Sequence, residues 1–296
     1  MKGQSRATIF AITAVLFWST VATAFKISLR HVDHLQLLFY SSVVSTIVLL
    51  LILLAQKKTH LFSGYSRNAY FRSAALGFLN PFLYYVILFK AYDILLAQEA
   101  QTLNYVWPLA LVLLSIPILK QKINTRDIIA VFISFIGALI IGTRGQFISF
   151  GNPLGFGLAV GSSLVWALFW IYNMKDKRDV VAKLFLNFLF GSVFAFFAVV
   201  IFSSGSDPGI SGILAVSYVG AFEMGITFVL WLKALQLAEN TAKVGNLIYL
   251  SPFISFFLLY FILGETILTT TIIGLALIIS GIVIQKYHFR KQNSIS

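Results

Sequence analysis

The chain is built from repeated apolar blocks, each about as long as a bilayer's hydrocarbon core is thick. A membrane-spanning helix needs about 20 mainly apolar residues, and dividing the sequence at its charge clusters and turn signals leaves ten such blocks. They cover residues 7–25, 35–55, 70–89, 94–119, 127–143, 154–173, 184–202, 213–232, 243–263 and 268–285. The connections are short, so the sequence predicts an all-α membrane protein whose function resides within the membrane.

The basic residues of the chain are distributed unequally between the two sides of the membrane that these predicted helices define. The formal net charge is +12. With the N-terminus in the cytoplasm, only Lys26, Arg30, Lys90 and Arg144 fall on the outer side. Since cytoplasmic loops carry an excess of Lys and Arg, we predict a multi-pass protein of the cell inner (plasma) membrane with both termini cytoplasmic. The charge is explained by topology, and no nucleic-acid partner is expected.

The second half of the chain repeats features of the first. When "LNYVWPLALVLLSIPILKQ" from residue 103 is aligned with "LIYLSPFISFFLLYFILGE" from residue 247, six of the nineteen positions are identical. Tyr105 then corresponds to Tyr249, and Pro108 to Pro252. A recurring offset of this kind indicates an internal duplication.

The duplication predicts two halves of five helices each, residues 1–146 and 147–296, which together form one membrane domain. Because five is odd, the second half must enter the membrane from the opposite side. Inverted repeats of this kind are typical of secondary transporters, in which one half rocks against the other around a site near the bilayer midplane. The architecture therefore favours alternating access.

Three prolines fall inside predicted helices, where each removes a backbone hydrogen bond. They are Pro81 in the third helix, Pro108 in the fourth and Pro252 in the ninth. An interrupted helix is tolerated at membrane depth where it is buried in protein or lines a watery cavity. We therefore predict kinks, or gating positions, at these three residues.

Glu223 lies near the middle of the eighth predicted helix, and Asn80 is its counterpart in the third. An acidic side chain at this depth costs roughly 2.5–3.5 kcal/mol on insertion scales, so it is expected to face the protein interior. Glu223 is the candidate for charge coupling or for binding a substrate amine. The alternative is a protonated glutamate that hydrogen-bonds a neighbouring helix.

Aromatic residues complete the candidate binding site. Trp18 and Trp166 correspond in the repeat and lie mid-span, although tryptophan normally gathers at the membrane surfaces. Aromatic rings can stack on a flat ligand or hold a cation. The predicted substrate-binding residues are Trp18, Asn80, Tyr84, Tyr105, Trp107, Trp166, Glu223 and Tyr249. The alternative for any single ring is ordinary packing.

Enzymatic chemistry finds little support in the sequence. The chain has no cysteine, and its four histidines lie in predicted loops or the tail, namely His31, His34, His60 and His288. No HExxH motif is present, and no intramembrane histidine or lysine stands ready to activate a serine. We predict no enzyme, no cofactor and no metal site.

The chain resembles the drug/metabolite transporter superfamily, EamA type, over essentially its whole length. The segments that carry this resemblance are "FWSTVATAFK", "NYVWP", "LSPFISFFLLYFILGE" and "IIGLALIISGIVI". The resemblance implies ten helices in two inverted halves around a central cavity through which small organic metabolites leave the cytoplasm. "NYVWP" is similar to the branch that exports aromatic and other amino acids. By that likeness, the residues lining the cavity are Trp18, Tyr84, Tyr105, Trp107 and Trp166.

The sequence thus predicts a secondary transporter that exports small organic metabolites, with amino acids, including aromatic ones, as the leading substrate class. One alternative is a multidrug or cation exporter. Another, from a different class, is a transport-inactive membrane scaffold. The expected partners are a small-molecule substrate and membrane lipid, and the expected state is a monomer or a homodimer.

Overall fold

The computed structural model describes residues 2–94, 103–143, 152–203, 205, 207–251, 254–255 and 269–292. Within these ranges the chain is helical and contains no strand, which confirms the predicted all-α class. The helices of the first half are α1 (Lys2–Ser28), α2 (His34–Ala55), α3 (Arg67–Gly77), α4 (Tyr84–Ile94), α5 (Trp107–Leu119) and α6 (Thr125–Gly142). Those of the second half are α7 (Pro153–Lys175), α8 (Val180–Phe202), α9 (Gly209–Tyr218), α10 (Thr227–Leu237), α11 (Thr241–Gly245) and α12 (Thr269–Gln292).

Five helical segments are long and apolar enough to cross a membrane, and two shorter apolar helices accompany them. The five are His34–Ala55, Arg67–Leu88, Pro153–Lys175, Val180–Phe202 and Gly209–Leu237. The shorter two are Trp107–Leu119 and Ile272–Ile284. The membrane-protein class is therefore supported, while much of the ninth predicted helix lies outside the described residues.

Polar side chains fix where several helices begin. Asp33 accepts hydrogen bonds from the backbone N–H groups of Leu35 and Gln36, and the Gln36 side chain accepts one from the Asp33 N–H. This reciprocal pair is a capping box. Asn152 caps α7 and Asp179 caps α8, each with a side-chain oxygen that accepts backbone N–H groups. Helix starts predicted from apolar blocks thus coincide with local capping signals.

The helices of the two halves pack in a matching pattern. α1 of the first half packs on α9 and α10, and α7 of the second half packs on α4. Two further large contacts join a helix to its own counterpart, α2 to α8 and α6 to α12. This reciprocity is consistent with two repeats related by a pseudo-two-fold axis.

Both halves contain one interrupted helix at corresponding positions. A π-helical turn, Phe78–Leu83, separates α3 from α4, and another, Val219–Ile226, separates α9 from α10. Asn80 within the first turn has extended rather than helical backbone angles (φ −154°, ψ 125°), and the following bond to Pro81 is cis. π turns inside helices are frequent at functional sites, and here they carry Asn80 and Glu223.

Pro108 lies in the first turn of α5, directly after an interruption of the predicted fourth helix at residues 105–106. α5 begins at Trp107, so Pro108 lies in the first helical turn. At that position a backbone N–H would have no helical acceptor anyway, and proline is well tolerated. Pro108 therefore begins the helical segment that follows this interruption, while its counterpart Pro252 lies outside the described residues.

Candidate functional site

All five tryptophans of the chain meet in one cluster. Trp18 lies at its centre, and its ring centroid is 5.2 Å from Trp231, 6.1 Å from Trp166, 6.2 Å from Trp107 and 6.5 Å from Trp170. Trp18 is partly buried and the other four are buried. These separations are typical of favourable aromatic pairs, so the rings form a continuous aromatic unit.

The cluster is assembled from both halves of the protein. Trp18 on α1 and Trp107 on α5 come from the first half, while Trp166 and Trp170 on α7 and Trp231 on α10 come from the second. Trp166 and Trp170 are four residues apart and therefore lie on the same face of α7. The cluster thus sits where the two repeats meet, and a relative movement of the halves would change it directly.

Among the described residues, three of the indoles lack an acceptor for their N–H group. The Nε1 atoms of Trp166, Trp170 and Trp231 are buried, and no hydrogen-bond partner is found for any of them in the described part of the chain. A buried donor without a partner costs about 1–3 kcal/mol. Three such donors in one cluster are unusual for a packed core and make this cluster the candidate binding site.

Glu223 is joined to the first half by a short hydrogen bond. The Tyr85 hydroxyl donates to Glu223 Oε1 at 2.5 Å, and only 4% of Glu223 is exposed. Its second oxygen, Oε2, has no partner among the described residues. The Tyr85 ring also contacts Tyr84 at 4.7 Å and Trp166 at 6.3 Å between centroids. Tyr85 therefore connects the carboxyl group to the aromatic cluster.

Asn80 occupies the corresponding place in the first half but lacks such a donor. It is fully buried, and both its amide nitrogen and its amide oxygen are unpaired within the described ranges. In the repeat register, Phe228 takes the place of Tyr85, and phenylalanine has no hydroxyl to offer. The asymmetry between the two halves leaves this amide available.

The polar residues of the "LNYVWP" segment bond to neighbouring helices. Asn104 accepts from the Tyr84 hydroxyl at 3.2 Å and donates to Ser162 Oγ on α7 at 3.0 Å. The Tyr249 hydroxyl donates to the Tyr105 carbonyl at 3.4 Å, just before α5 begins. The two tyrosines that correspond in the repeat are therefore in contact, next to the aromatic cluster.

A separate polar group lies outside the membrane-spanning helices, in the connections before α3 and α8. Lys58 forms an ion pair with Asp179 at 2.6 Å, and Arg178 bonds both Asp176 and Ser73. Burial raises the pKa of each aspartate, but the hydrogen bonds from Arg178 and Lys58 outweigh it and hold the pKa of Asp176 and of Asp179 below the usual range. Both carboxylates are therefore charged at neutral pH and tie the second half to the first.

The sequence matches the EamA-like transporter family twice, over residues 5–143 and again over residues 153–285. The chain belongs to the EamA-like transporter family. It is therefore a member of a family of multi-pass membrane transporters. The expected membership in the drug/metabolite transporter superfamily is confirmed at this level.

Relatives of this EamA-like transporter carry only general names. A protein of Clostridium kluyveri named as an uncharacterized transporter is 27% identical over 187 residues, which span 60% of this chain and 60% of that protein. An uncharacterized transporter of Archaeoglobus fulgidus is 21% identical over 280 residues, which span 93% of this chain and 96% of that protein. One solved crystal structure, 21% identical in sequence, shares the fold with a TM-score of 0.85 over 97% of this chain and 99% of its own.

The structure of this EamA-like transporter brings several of the predicted site residues together. Four predicted residues lie in the aromatic cluster or directly against it, namely Trp18, Tyr84, Trp107 and Trp166. Trp170 and Trp231 were not among the predicted residues. The spacing of Trp170 from Trp166 was the signal that could have revealed it, because residues four apart share a helix face.

Proposed function

We propose that this EamA-like transporter exports small organic metabolites from the cytoplasm across the inner membrane by alternating access. Amino acids, including aromatic ones, are the leading substrate class. The observation that carries the proposal is the five-tryptophan cluster built from both repeats. A substrate held there contacts both halves, so its binding can be coupled to their relative movement.

The chemistry of the cluster suits an amphiphilic metabolite. Indole rings offer large, rigid surfaces for a flat or apolar side chain. Glu223, at the edge of the cluster through Tyr85, has one carboxyl oxygen without a described partner. That oxygen can accept a hydrogen bond from a substrate amine or bind a proton during transport. Glu223 is therefore the proposed charge-coupling residue.

A second candidate function is export of planar organic cations. It is favoured by the same juxtaposition of aromatic rings and an acidic side chain, because ring faces attract cations. An exporter of planar cations would accept a substrate on its positive charge and flat shape alone, whereas an amino-acid exporter would require an amino acid. Direct transport measurements distinguish them.

The test is transport by the purified protein in liposomes, with labelled amino acids and labelled planar cations, each with and without a pH gradient. We expect uptake of at least one amino acid, and we expect Glu223→Gln to abolish that uptake or to remove its dependence on the pH gradient. Glu239→Gln is the matched control, since the Glu239 side chain is half-exposed and forms an ion pair with Lys243 at the surface. Its transport should equal that of the wild type.

A transport-inactive scaffold predicts a different outcome. In that case no labelled compound would enter the liposomes, and the protein would tolerate Trp18→Ala and Trp166→Ala. Transport of cations with no transport of amino acids would assign the second candidate function instead. Unchanged flux and pH dependence in Glu223→Gln would remove the coupling role from Glu223.

A further inference from the structure

We infer that the contact between α5 and α11 is a gate that closes the transport pathway at the end predicted to be cytoplasmic, and that Thr241 holds this gate shut. The inference rests on the proposed export by alternating access. It specifies which part of the protein must open before a substrate from the cytoplasm reaches the aromatic cluster. The two helices belong to different halves of the chain and pack on each other, so a movement between the halves can separate them.

Three side chains join the two helices at this end and form the proposed gate. The Thr241 hydroxyl, at the start of α11, lies 2.8 Å from Ser115 Oγ on α5. Gln121 Oε1, just past the end of α5, accepts from both the backbone N–H and the hydroxyl of Thr241, each at 3.1 Å. Ser115 and Thr241 are fully buried. The first residue of α11 is therefore bound to the first half at two side chains, and both hydroxyls are shielded from solvent.

The contact continues from the gate to the aromatic cluster. At the other end of α11, a Cβ atom added to Gly245 would lie 3.7 Å from the Val112 side chain and 3.9 Å from the Pro108 carbonyl oxygen. Pro108 directly follows Trp107, which belongs to the cluster. Eight residues of α5 separate Trp107 from Ser115, or about 12 Å at 1.5 Å per residue. The two helices therefore lie together along the stretch of α5 between the cluster and the gate.

The chemistry of the gate suits a contact that opens and closes. Its hydrogen bonds join uncharged groups, and such bonds are roughly half as strong as those to charged groups. α11 has five residues and is followed directly by a 3₁₀ turn, Asn246–Tyr249. A 3₁₀ stretch within a helix often marks a hinge. The second-half side of the gate is therefore a short helix that can tilt away from α5 when these few bonds break.

A disulfide across the gate tests whether it must open. The chain contains no cysteine, and in the double variant Ser115→Cys, Thr241→Cys the sulfur atoms replace two oxygens that are 2.8 Å apart. This separation is close to the disulfide length of about 2.05 Å. Uptake of labelled amino acids and planar cations into liposomes is measured before oxidation, after oxidation and after reduction. We expect oxidation to stop the uptake seen with the wild type and reduction to restore it.

The double variant Thr46→Cys, Ser192→Cys is the matched control. These two hydroxyls also join the halves, 3.3 Å apart between α2 and α8, but they lie near the middle of their helices. Halves that rock around a site at the bilayer midplane move least at that depth. Oxidation of this variant should therefore leave uptake unchanged, which separates closure of the gate from a general effect of linking the halves.

A second measurement follows gate opening without any transported compound. The buried thiol of Ser115→Cys can react with N-ethylmaleimide only when α5 and α11 separate. Adding Thr241→Val removes the hydroxyl but keeps the branched shape, and it should raise the labelling rate about tenfold because two hydrogen bonds are lost. Thr241→Ser keeps the hydroxyl and should label at the original rate. Ser42→Cys, which is fully buried on α2, should be unaffected by Thr241→Val unless the whole fold loosens.

The outcomes separate the gate from the transport function. Continued uptake after oxidation of the Ser115→Cys, Thr241→Cys variant, or an equal loss in the oxidised control, overturns the gate even though transport is observed. A pair that forms no disulfide contradicts the contact itself. If the wild type transports none of the compounds, the proposed function fails and labelling alone decides. Equal labelling of Ser115→Cys with and without Thr241→Val then refutes the gate, and faster labelling supports it.

Discussion

At the level of single residues, the hydroxyl of Tyr85 is the clearest point at which the two halves share a polar contact. It donates to Glu223, which is otherwise buried without another described partner. In Tyr85→Phe the carboxyl group loses this donor, so we expect a loss of about 1–3 kcal/mol in the free energy of unfolding. Transport should fall as well, because Glu223 is no longer positioned. Thermal unfolding and liposome flux measure the two effects.

The control for this prediction is Tyr172→Phe. Tyr172 lies on α7 and is 43% exposed, so its ring faces away from the core and its hydroxyl can be replaced at little cost. This variant should match the wild type in stability and in flux. If Tyr85→Phe behaved in the same way as Tyr172→Phe, the contact with Glu223 would have no role in either property.

The sequence reveals some of the site residues and hides others for a physical reason. Glu223 and Trp166 stand out because a charge and an indole are unusual in the middle of a membrane span. Trp231 lies at the end of the predicted span 213–232, where tryptophan is ordinary, but the helix continues to Leu237 and places the ring in the core. Whether an indole N–H has a hydrogen-bond acceptor depends on how distant segments of the chain pack together. A local sequence pattern does not predict that packing.

At the level of helices, small residues allow the interrupted helices to lie close to the other half. A Cβ atom added at Gly77 would lie 2.3 Å from the Asn187 carbonyl oxygen on α8, and one at Gly220 would lie 2.5 Å from the Ser41 carbonyl oxygen on α2. The two glycines lie just before or at the start of the two π turns. The same close crossing is therefore used once in each repeat.

Gly77→Ala and Gly220→Ala should both destabilise the protein. The obstructing atoms belong to the backbone and cannot rotate away, so overpacking should cost about 1–3 kcal/mol in each variant. The melting temperature in detergent measures this effect. Gly161→Ala on α7 is the control, since nothing lies within 4 Å of its added Cβ. Alanine also favours a helix over glycine, so this control should be neutral or stabilising.

The helix boundaries show how far an apolar pattern can predict these elements. The predicted span 35–55 corresponds to His34–Ala55, and 184–202 to Val180–Phe202. These helices are continuous, and their apolar blocks end at charged or capping residues. The π turns were not predicted, because a wide turn changes the hydrogen-bond pattern without changing composition. Pro81 marks one of them, but the turn around Glu223 contains no proline.

At the level of the whole molecule, helix ends predicted to share one side of the membrane contact each other across the two halves. Lys58 pairs with Asp179 at 2.6 Å, and the Gln121 side chain accepts from the Thr241 N–H at 3.1 Å. All four belong to the side predicted to be cytoplasmic. On the opposite side, the Ser203 hydroxyl donates to Asp33. The alternation derived from lysine and arginine therefore agrees with the packing, while the compartment that each side faces stays a prediction.

The absence of cysteine from the chain makes that orientation directly measurable. Ser63 and Ser211 are both exposed, and they lie in connections or helix ends predicted to be cytoplasmic and external, respectively. In intact cells, a thiol reagent that cannot cross the membrane should label Ser211→Cys and leave Ser63→Cys unlabelled. After the membrane is permeabilised, both should react, which controls for accessibility. Labelling of Ser63→Cys alone in intact cells would show that the protein has the opposite orientation in the membrane. The predicted topology would then be wrong, and so would the side from which the proposed export starts.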